Sequence, residues 1–282
     1  MNLLVTGGTG QLGRAISRLG STQHQITAPG SAELDATDAR AVASAIAESR
    51  PDLVIHAGAM TDVDGCEHDP KLAYRVNGLG TQNVAAASAS AGIPIVYVST
   101  NFVFDGSLER PYLEFDTPNP ISLYGASKLA GEHAVSSLNP QHYIVRTAMV
   151  YDETGHNFVN SMLRLATQHP KLTIVDDQYG NPTYAGDLAL GILQLIQSGA
   201  FGTYHVTNAG TASWHEWAVK IFELSGVETP TEPIPGSQFK RAATPPANGV
   251  LDNMAAAGLG IELPHWHDAL ERYLHRRSEL AG

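Results

Sequence analysis

The sequence predicts an α/β fold, a doubly wound parallel sheet with a smaller C-terminal domain. Three observations carry this expectation. Short apolar runs alternate with segments of helical spacing through the first half of the chain. A glycine-rich turn directly follows the first of those runs. The 282 residues are 43% hydrophobic and only 16% charged, enough apolar surface for a large core. Continuous apolar strands separated by helices pair in parallel and are covered on both faces. Right-handed crossovers then wind such a sheet in both directions.

Each element follows from local pattern. Asn2–Thr6 reads as the first strand, with a helix from about Gln11 behind the glycine turn. Gln25–Ala28 is a second, weaker strand. Asp38–Ser49 has helical spacing, with Ala41, Val42, Ala45 and Ile46 on one side, and Asp52–His56 is the third strand. Pro70–Ala91 reads as one long helix, Ile95–Ser99 as the fourth strand, Ser122–Ser137 as a helix and Tyr143–Arg146 as the fifth strand. The second half is less regular. His156–Thr167 and Asp187–Ser198 read as helices, and Ser213 with Glu216 forms a capping box that starts another. Pro230, Pro233, Pro235, Pro245 and Pro246 mark a long irregular loop, a kind of segment that often carries function.

Composition excludes several functions. A formal net charge of −11 without a basic patch argues against nucleic-acid binding, and the hydrophobic content argues against disorder. The longest uncharged run, Val76 to Phe104, contains Asn77, Gln82, Asn83, Gly92 and Pro94, so it is not a membrane span. The single cysteine, Cys66, excludes an internal disulfide and suggests a reducing compartment. With no leader pattern after Met1, a cytoplasmic protein is expected. His265-Trp266-His267 lacks a third ligand, so no metal site is expected.

Three motifs carry chemistry. In Thr6-Gly7-Gly8-Thr9-Gly10-Gln11-Leu12-Gly13, Gly7 permits a tight turn, Gly10 lets backbone approach a pyrophosphate, and Gly13 allows close helix–strand packing. The helix that follows presents free N–H groups to the phosphates, which makes this a Rossmann-type dinucleotide site. No acid or base stands where the second strand ends, at Ala28-Pro29-Gly30-Ser31, so the choice between NAD(H) and NADP(H) stays open. Arg14, Arg18 and Ser31 are candidates for a 2′-phosphate, and solvent-facing charges explain the two arginines equally well. The second motif is Tyr124-Gly125-Ala126-Ser127-Lys128, whose Tyr and Lys share one helix face. A neighbouring ammonium favours phenolate, so the Tyr124 pKa is expected to fall and the residue to serve as a proton donor to a carbonyl oxygen. The third is Ser99-Thr100-Asn101 at the carboxyl end of the fourth strand, where open α/β sheets bind ligands. There a Thr100 hydroxyl can hydrogen-bond the oxygen that Tyr124 protonates.

Together these motifs resemble the extended short-chain dehydrogenase/reductases, and within them the dTDP-4-dehydrorhamnose reductase family. The resemblance is carried by Ala57-Gly58-Ala59-Met60-Thr61-Asp62-Val63-Asp64-Gly65-Cys66-Glu67, by Ser99 through Gly106, and by Tyr124 through Glu132. It is carried further by Val175 through Thr183 and by Asn248 through Asn253, so it spans nearly the whole chain. It implies reduction of the C4 ketone of a nucleotide-linked 6-deoxy sugar by NADP(H) or NAD(H). Tyr124 would be the acid, Lys128 its modulator and a nicotinamide-ribose ligand, and Thr100 the ketone's guide. Gly10, Gln11 and Leu12 would meet the pyrophosphate, Asp35 and Ala36 the adenine side, and Ala57, Gly58 and Ala59 the cofactor beyond the third strand. Residues 1–149, with a return at about 183–206, would form the cofactor domain, and 150–182 with 207–282 the substrate domain. A nucleotide sugar is the expected partner, and a homodimer is compatible with this reading.

Three positions depart from the family pattern. Asn101 replaces the usual Asp, Met149 replaces a Trp beside the sugar, and Pro245-Pro246 replaces Arg-Pro. Asn101 and Met149 are expected at the substrate. Lys240 and Arg241 are candidates to replace the missing cation, against the simpler reading of a solvated pair. Two other functions fit the same resemblance: a regulatory subunit like the beta subunit of methionine adenosyltransferase, and a sugar-nucleotide epimerase.

Overall fold

The structure, a computed structural model, describes residues 1–281. Its first half runs β1 (Asn2–Thr6), α1 (Gln11–Gly20), β2 (Gln25–Thr27), α2 (Ala39–Ser49), β3 (Leu53–His56), α3 (Val63–His68), α4 (Pro70–Ala73), α5 (Thr81–Ser90), β4 (Ile95–Thr100), α6 (Leu123–Leu138) and β5 (His142–Thr147). Then come β6 (Val150–Tyr151), α7 (Phe158–Ala166), β7 (Leu172–Val175), β8 (Tyr179–Gly180), β9 (Thr183–Tyr184), α8 (Ala185–Ser198) and β10 (Gly202–His205). The chain ends with β11 (Ala212–Ser213), α9 (Trp214–Ser225), β12 (Thr231–Ile234), α10 (Met254–Ala257) and α11 (Trp266–Ala281).

Six strands form one parallel sheet in the order β10-β5-β4-β3-β1-β2. Chain order therefore reverses between β1 and β3, and doubly wound sheets bind ligands at such a crevice. Alternation along the strands sorts the core onto two faces. Leu3, Val5, Ile55, Val96 and Val145 pack against Ile16 of α1 and Leu188 and Ile192 of α8. Leu4, Val54, Tyr97 and Ile144 pack against Val42, Val84 and Val135. A further core in the second half joins Tyr151, Val159, Met162, Trp217, Ile221, Trp266, Leu270 and Tyr273.

Local chemistry sets the boundaries. Asp38 caps α2 by accepting from the Arg40 and Ala41 amides, at 2.9 and 3.1 Å. Ser213 and Glu216 form the expected reciprocal capping box, at 3.0 and 2.7 Å. Two expectations need correction. The helix over Pro70–Ala91 is interrupted by a π-helical turn at Tyr74–Gly80. The proline-rich segment is partly a strand, because β12 pairs in parallel with β7. That two-stranded sheet has only edges, where a proline lacking its N–H is tolerated. Among the described residues no helix is long and apolar enough to cross a membrane, and no His, Cys, Asp and Glu cluster is suited to a metal.

Candidate active site

The glycine turn lies at the reversal of strand order. Gly7 has φ +74°, and a Cβ there would stand 2.6 Å from the Gly58 backbone. Gly8 backs onto the Ala28 carbonyl at 2.0 Å from an added Cβ, a contact that the motif spacing alone did not single out. At Gly13 the same atom would lie 2.4 Å from the Gly7 carbonyl. Gly10 is different: its added Cβ would meet only the Gly7 carbonyl, at 3.1 Å. Gly10 is the N-cap of α1, and neither a side-chain cap nor a first-turn acid competes for the helix N–H groups. A cradle of backbone donors with a favourable dipole results, and it fits a pyrophosphate.

Of the other expected cofactor residues, Ala57 and Gly58 border this turn. Leu12 is buried, whereas the Gln11 side chain accepts from Asn157 at 3.0 Å and braces α1 against the N-cap of α7. Ala57, Gly58 and Ala59 leave β3 beside it, with the Ala57 amide on the Thr6 carbonyl at 3.1 Å. Asp35 accepts from the Thr37 amide at 2.8 Å, which holds its carboxyl below the usual range. The Ala36 carbonyl accepts from Asn83 at 3.0 Å.

Tyr124 and Lys128 stand one turn apart on α6, whose start is capped by Ser122 accepting from Gly125 at 3.1 Å. Both side chains are buried. Lys128 Nζ donates to the Val98 carbonyl at 2.7 Å and lies 4.3 Å from the Tyr97 ring centre. Thr100 ends β4, and its hydroxyl accepts from the Phe102 amide at 3.2 Å and lies near enough to the Tyr124 phenol to lower its pKa. The expected electrostatics need correction. Burial pushes the Tyr124 phenol up to about 12, against the smaller lowering effect of Thr100. Burial also pushes Lys128 down to about 7, opposed by Glu132. Desolvation therefore sets the direction of both shifts.

Two buried residues outside the expected set tie these parts together. Asn77, in the π-helical turn, accepts from the Met60 amide at 2.8 Å and donates to the Met60 carbonyl at 3.1 Å and to Ser127 Oγ at 3.0 Å. Ser127 in turn donates to the Tyr124 carbonyl at 2.8 Å. His56, at the end of β3, lies between Thr6 (2.6 Å) and Thr81 (3.1 Å). The Thr81 hydroxyl gives its own proton to the Asn77 carbonyl at 2.7 Å. His56 Nε2 must therefore carry a proton toward Thr81, leaving Nδ1 to accept from Thr6. Burial, helped by Lys128, pushes this histidine down to about 3 and keeps it neutral. The glycine turn is thus linked by hydrogen bonds to the helix bearing Tyr124.

On the far side, segments distant in sequence converge. Asn101, expected at the substrate, has both ends of its amide engaged. Its amide donates to the Gly249 carbonyl at 3.0 Å and its oxygen accepts from Thr100 at 3.3 Å. It braces the 248–251 segment, which Asn181 also holds by accepting from the Leu251 amide at 2.8 Å. Met149 has φ +47°, a left-handed conformation costly for a side chain of its kind. Its sulfur sits over Gly180, where an added Cβ would approach to 2.6 Å. Arg241 is committed to Asp64 of α3, at 3.1 Å, and Asp64 also accepts from the Ala243 amide at 2.8 Å. Of the two candidate replacements for the missing cation, only Lys240 stays exposed.

Comparison with known proteins agrees with this geometry. Residues 1–279 match the family model described as RmlD substrate binding domain. A dTDP-4-dehydrorhamnose reductase of Streptomyces griseus is 41% identical, the match covering 95% of this chain and 91% of the relative. The crystal structure of a dTDP-4-dehydrorhamnose reductase from Clostridium acetobutylicum superposes with a TM-score of 0.94 at 41% identity, covering 98% of this chain and 99% of that one. A dTDP-4-dehydrorhamnose reductase from Bacillus anthracis, solved in complex with NADP, superposes with a TM-score of 0.95 at 38% identity, with the same coverage.

Proposed function

This chain belongs to the RmlD substrate binding domain family, and on that premise we propose that it is an NAD(P)H-dependent reductase of a nucleotide-linked 4-keto-6-deoxy sugar, converting dTDP-4-dehydrorhamnose to dTDP-L-rhamnose. The observation that carries the reading is the grouping of Thr100, Tyr124 and Lys128 at the carboxyl ends of β4 and its neighbours, beside a phosphate-shaped glycine turn. Gly7, Gly10 and Gly13 with the start of α1 would hold the pyrophosphate, and Ala57, Gly58 and Ala59 would line the cofactor farther along. When bound, the reduced nicotinamide supplies the hydrogen and the two electrons that reach C4.

The chain's own residues manage the proton. A phenol held near pKa 12 keeps its proton at neutral pH and gives it up only to an oxygen gaining negative charge. Thr100 orients that oxygen with its hydroxyl. Lys128, when protonated, steadies the phenolate one turn away. The buried Asn77, Ser127 and His56 network fixes Tyr124 against the glycine turn, and such positioning is worth much of a barrier. The reading places the enzyme in the cytoplasm, supported by its one cysteine, Cys66, being a buried free thiol.

The test is incubation of the purified protein with dTDP-4-dehydrorhamnose and NADH or NADPH. The expected result is loss of reduced cofactor matched by dTDP-L-rhamnose, identified by NMR. Cofactor binding without turnover would refute the reading. An epimerase would interconvert sugars with no net cofactor loss, and a regulatory subunit would alter a partner's kinetics instead.

A further inference from the structure

We infer that this chain selects NADH over NADPH, through a carboxylate folded back against the end of β2; the inference rests on the reductase reading above. The start of this wall is fixed by close backbone contact. The Gly8 amide donates to the Pro29 carbonyl at 3.0 Å, and a Cβ on Gly30 would stand 2.7 Å from the Thr9 side chain. The phosphate turn and the residues after β2 are therefore one surface. In doubly wound sheets this surface meets the adenosine ribose, with an acid for a free 2′-hydroxyl or an arginine for a 2′-phosphate.

The strand end itself, Ala28 to Ser31, holds neither acid nor base. Folding supplies the acid. A turn closes as the Glu33 and Leu34 amides donate to the Gly30 carbonyl, at 3.0 and 2.9 Å. Glu33 Oε2 then accepts from the Gly30 amide at 2.8 Å. One carboxylate oxygen is anchored, and the other remains to accept from a sugar hydroxyl. The linear sequence hides this placement, because Glu33 lies several residues beyond β2.

The two arginines of α1 that could serve a 2′-phosphate are committed elsewhere. Arg14 donates to the Thr9 carbonyl and to the Thr154 carbonyl at 3.3 Å, and lies 3.8 Å from Asp152. Arg18 pairs with Glu153 at 3.3 Å. Both acids are buried, so releasing these arginines would leave carboxylates in the interior with less compensation. At the adenine side, Asp35 adds a second negative charge, and Arg75 acts on it. Arg40, near the start of α2, is exposed. A 2′-phosphate would thus meet the Glu33 carboxylate without a dedicated cation, in a chain of net charge −11. The fold itself admits NADP, as the NADP-bound relative shows; the discrimination lies in these local residues.

The experiment is equilibrium titration of the purified enzyme with NADH and with NADPH, followed by nicotinamide fluorescence or calorimetry. NADH is expected to bind more tightly by about tenfold or more, as like-charge contact predicts. Glu33→Gln keeps an acceptor for the Gly30 amide but removes the charge, and should narrow the ratio by about threefold or more. Ser31→Arg should shift the preference toward NADPH. Equal or tighter NADPH binding by the unaltered enzyme would overturn the inference while leaving the reductase reading intact. So would a selective loss of NADPH affinity in Arg14→Ala, Arg40→Ala or Arg75→Ala, because that arginine would then be reading the phosphate. Binding of neither cofactor would overturn the reductase reading and this inference with it.

Discussion

Asn101→Asp probes the brace that links the end of β4 to the far wall of the site. The Asn101 amide donates to the Gly249 carbonyl at 3.0 Å from a side chain that is only 5% exposed. An ionised aspartate has no hydrogen to offer there, so two acceptors would face each other. The loss is one net hydrogen bond, about 1 kcal/mol, plus about 1–3 kcal/mol for an unsatisfied buried carbonyl. The expected destabilisation is therefore about 2–4 kcal/mol at pH 8. The introduced acid escapes part of this by keeping its proton and donating it to Gly249. Its folded-state pKa then lies above the unfolded value, so the native variant binds more protons than the unfolded chain. The penalty should accordingly be small near pH 4 and grow with pH by at most about 1.4 kcal/mol per unit until it saturates. Urea denaturation of both proteins at several pH values measures this difference directly. Because the braced 248–251 segment walls the proposed substrate side, KM for the nucleotide sugar should rise while cofactor affinity holds. Equal stability at pH 8, or a deficit that does not change with pH, would refute the reasoning.

Further predictions follow from other contacts. Gly13→Ala drives a Cβ to 2.4 Å from the Gly7 carbonyl, and backbone cannot yield cheaply. It should cost upward of about 2 kcal/mol and weaken NADH and NADPH binding alike, measured by melting and by titration. Asn77→Ala removes three hydrogen bonds from a fully buried position. It should cost about 2–4 kcal/mol and lower kcat more than it raises KM, as steady-state kinetics on the folded variant would show. His56 and His205 are each held near pKa 3 by burial, well below their unfolded value. Between about pH 6.5 and 3 the unfolded chain binds protons that the native one refuses, so stability should fall on acidification, by up to about 1.4 kcal/mol per pH unit for each histidine. Urea midpoints between pH 7 and 5 check this, and His56→Gln should flatten the slope.

Much of the fold was legible because its determinants are local. The runs that became β1, β3 and β4 are continuous and apolar, and the turn glycines are punctuated by spacing. Tyr124 and Lys128 were readable as a pair because helical periodicity places them together. What stayed hidden depends on contacts between distant segments. Asn77 is an ordinary residue between Val76 and Gly78, and its importance comes from Met60 and Ser127 arriving beside it. Asn101 reads as a ligand, and its tie to Gly249, 148 residues away, leaves no mark in the sequence. Glu33 counts as a loop acid until the Gly30 turn closes. The prolines hid β12, whose pairing with β7 needs only edge positions. By contrast α11 left a readable trace, since Trp266, Ala269, Leu270 and Tyr273 follow the helical period and are all buried. The shift of Tyr124 could not be read from spacing, because the depth of burial decided its direction.

The central claim is that Tyr124 protonates the C4 ketone oxygen of a dTDP-linked sugar. The most direct measurement is steady-state oxidation of reduced cofactor with saturating dTDP-4-dehydrorhamnose, comparing the enzyme with Tyr124→Phe after cofactor binding by both is confirmed. The account predicts that kcat falls by about 10²–10⁴-fold while cofactor affinity changes by less than about twofold. Turnover by Tyr124→Phe within about threefold of the unaltered enzyme would contradict it, since general acid catalysis by that phenol is worth far more.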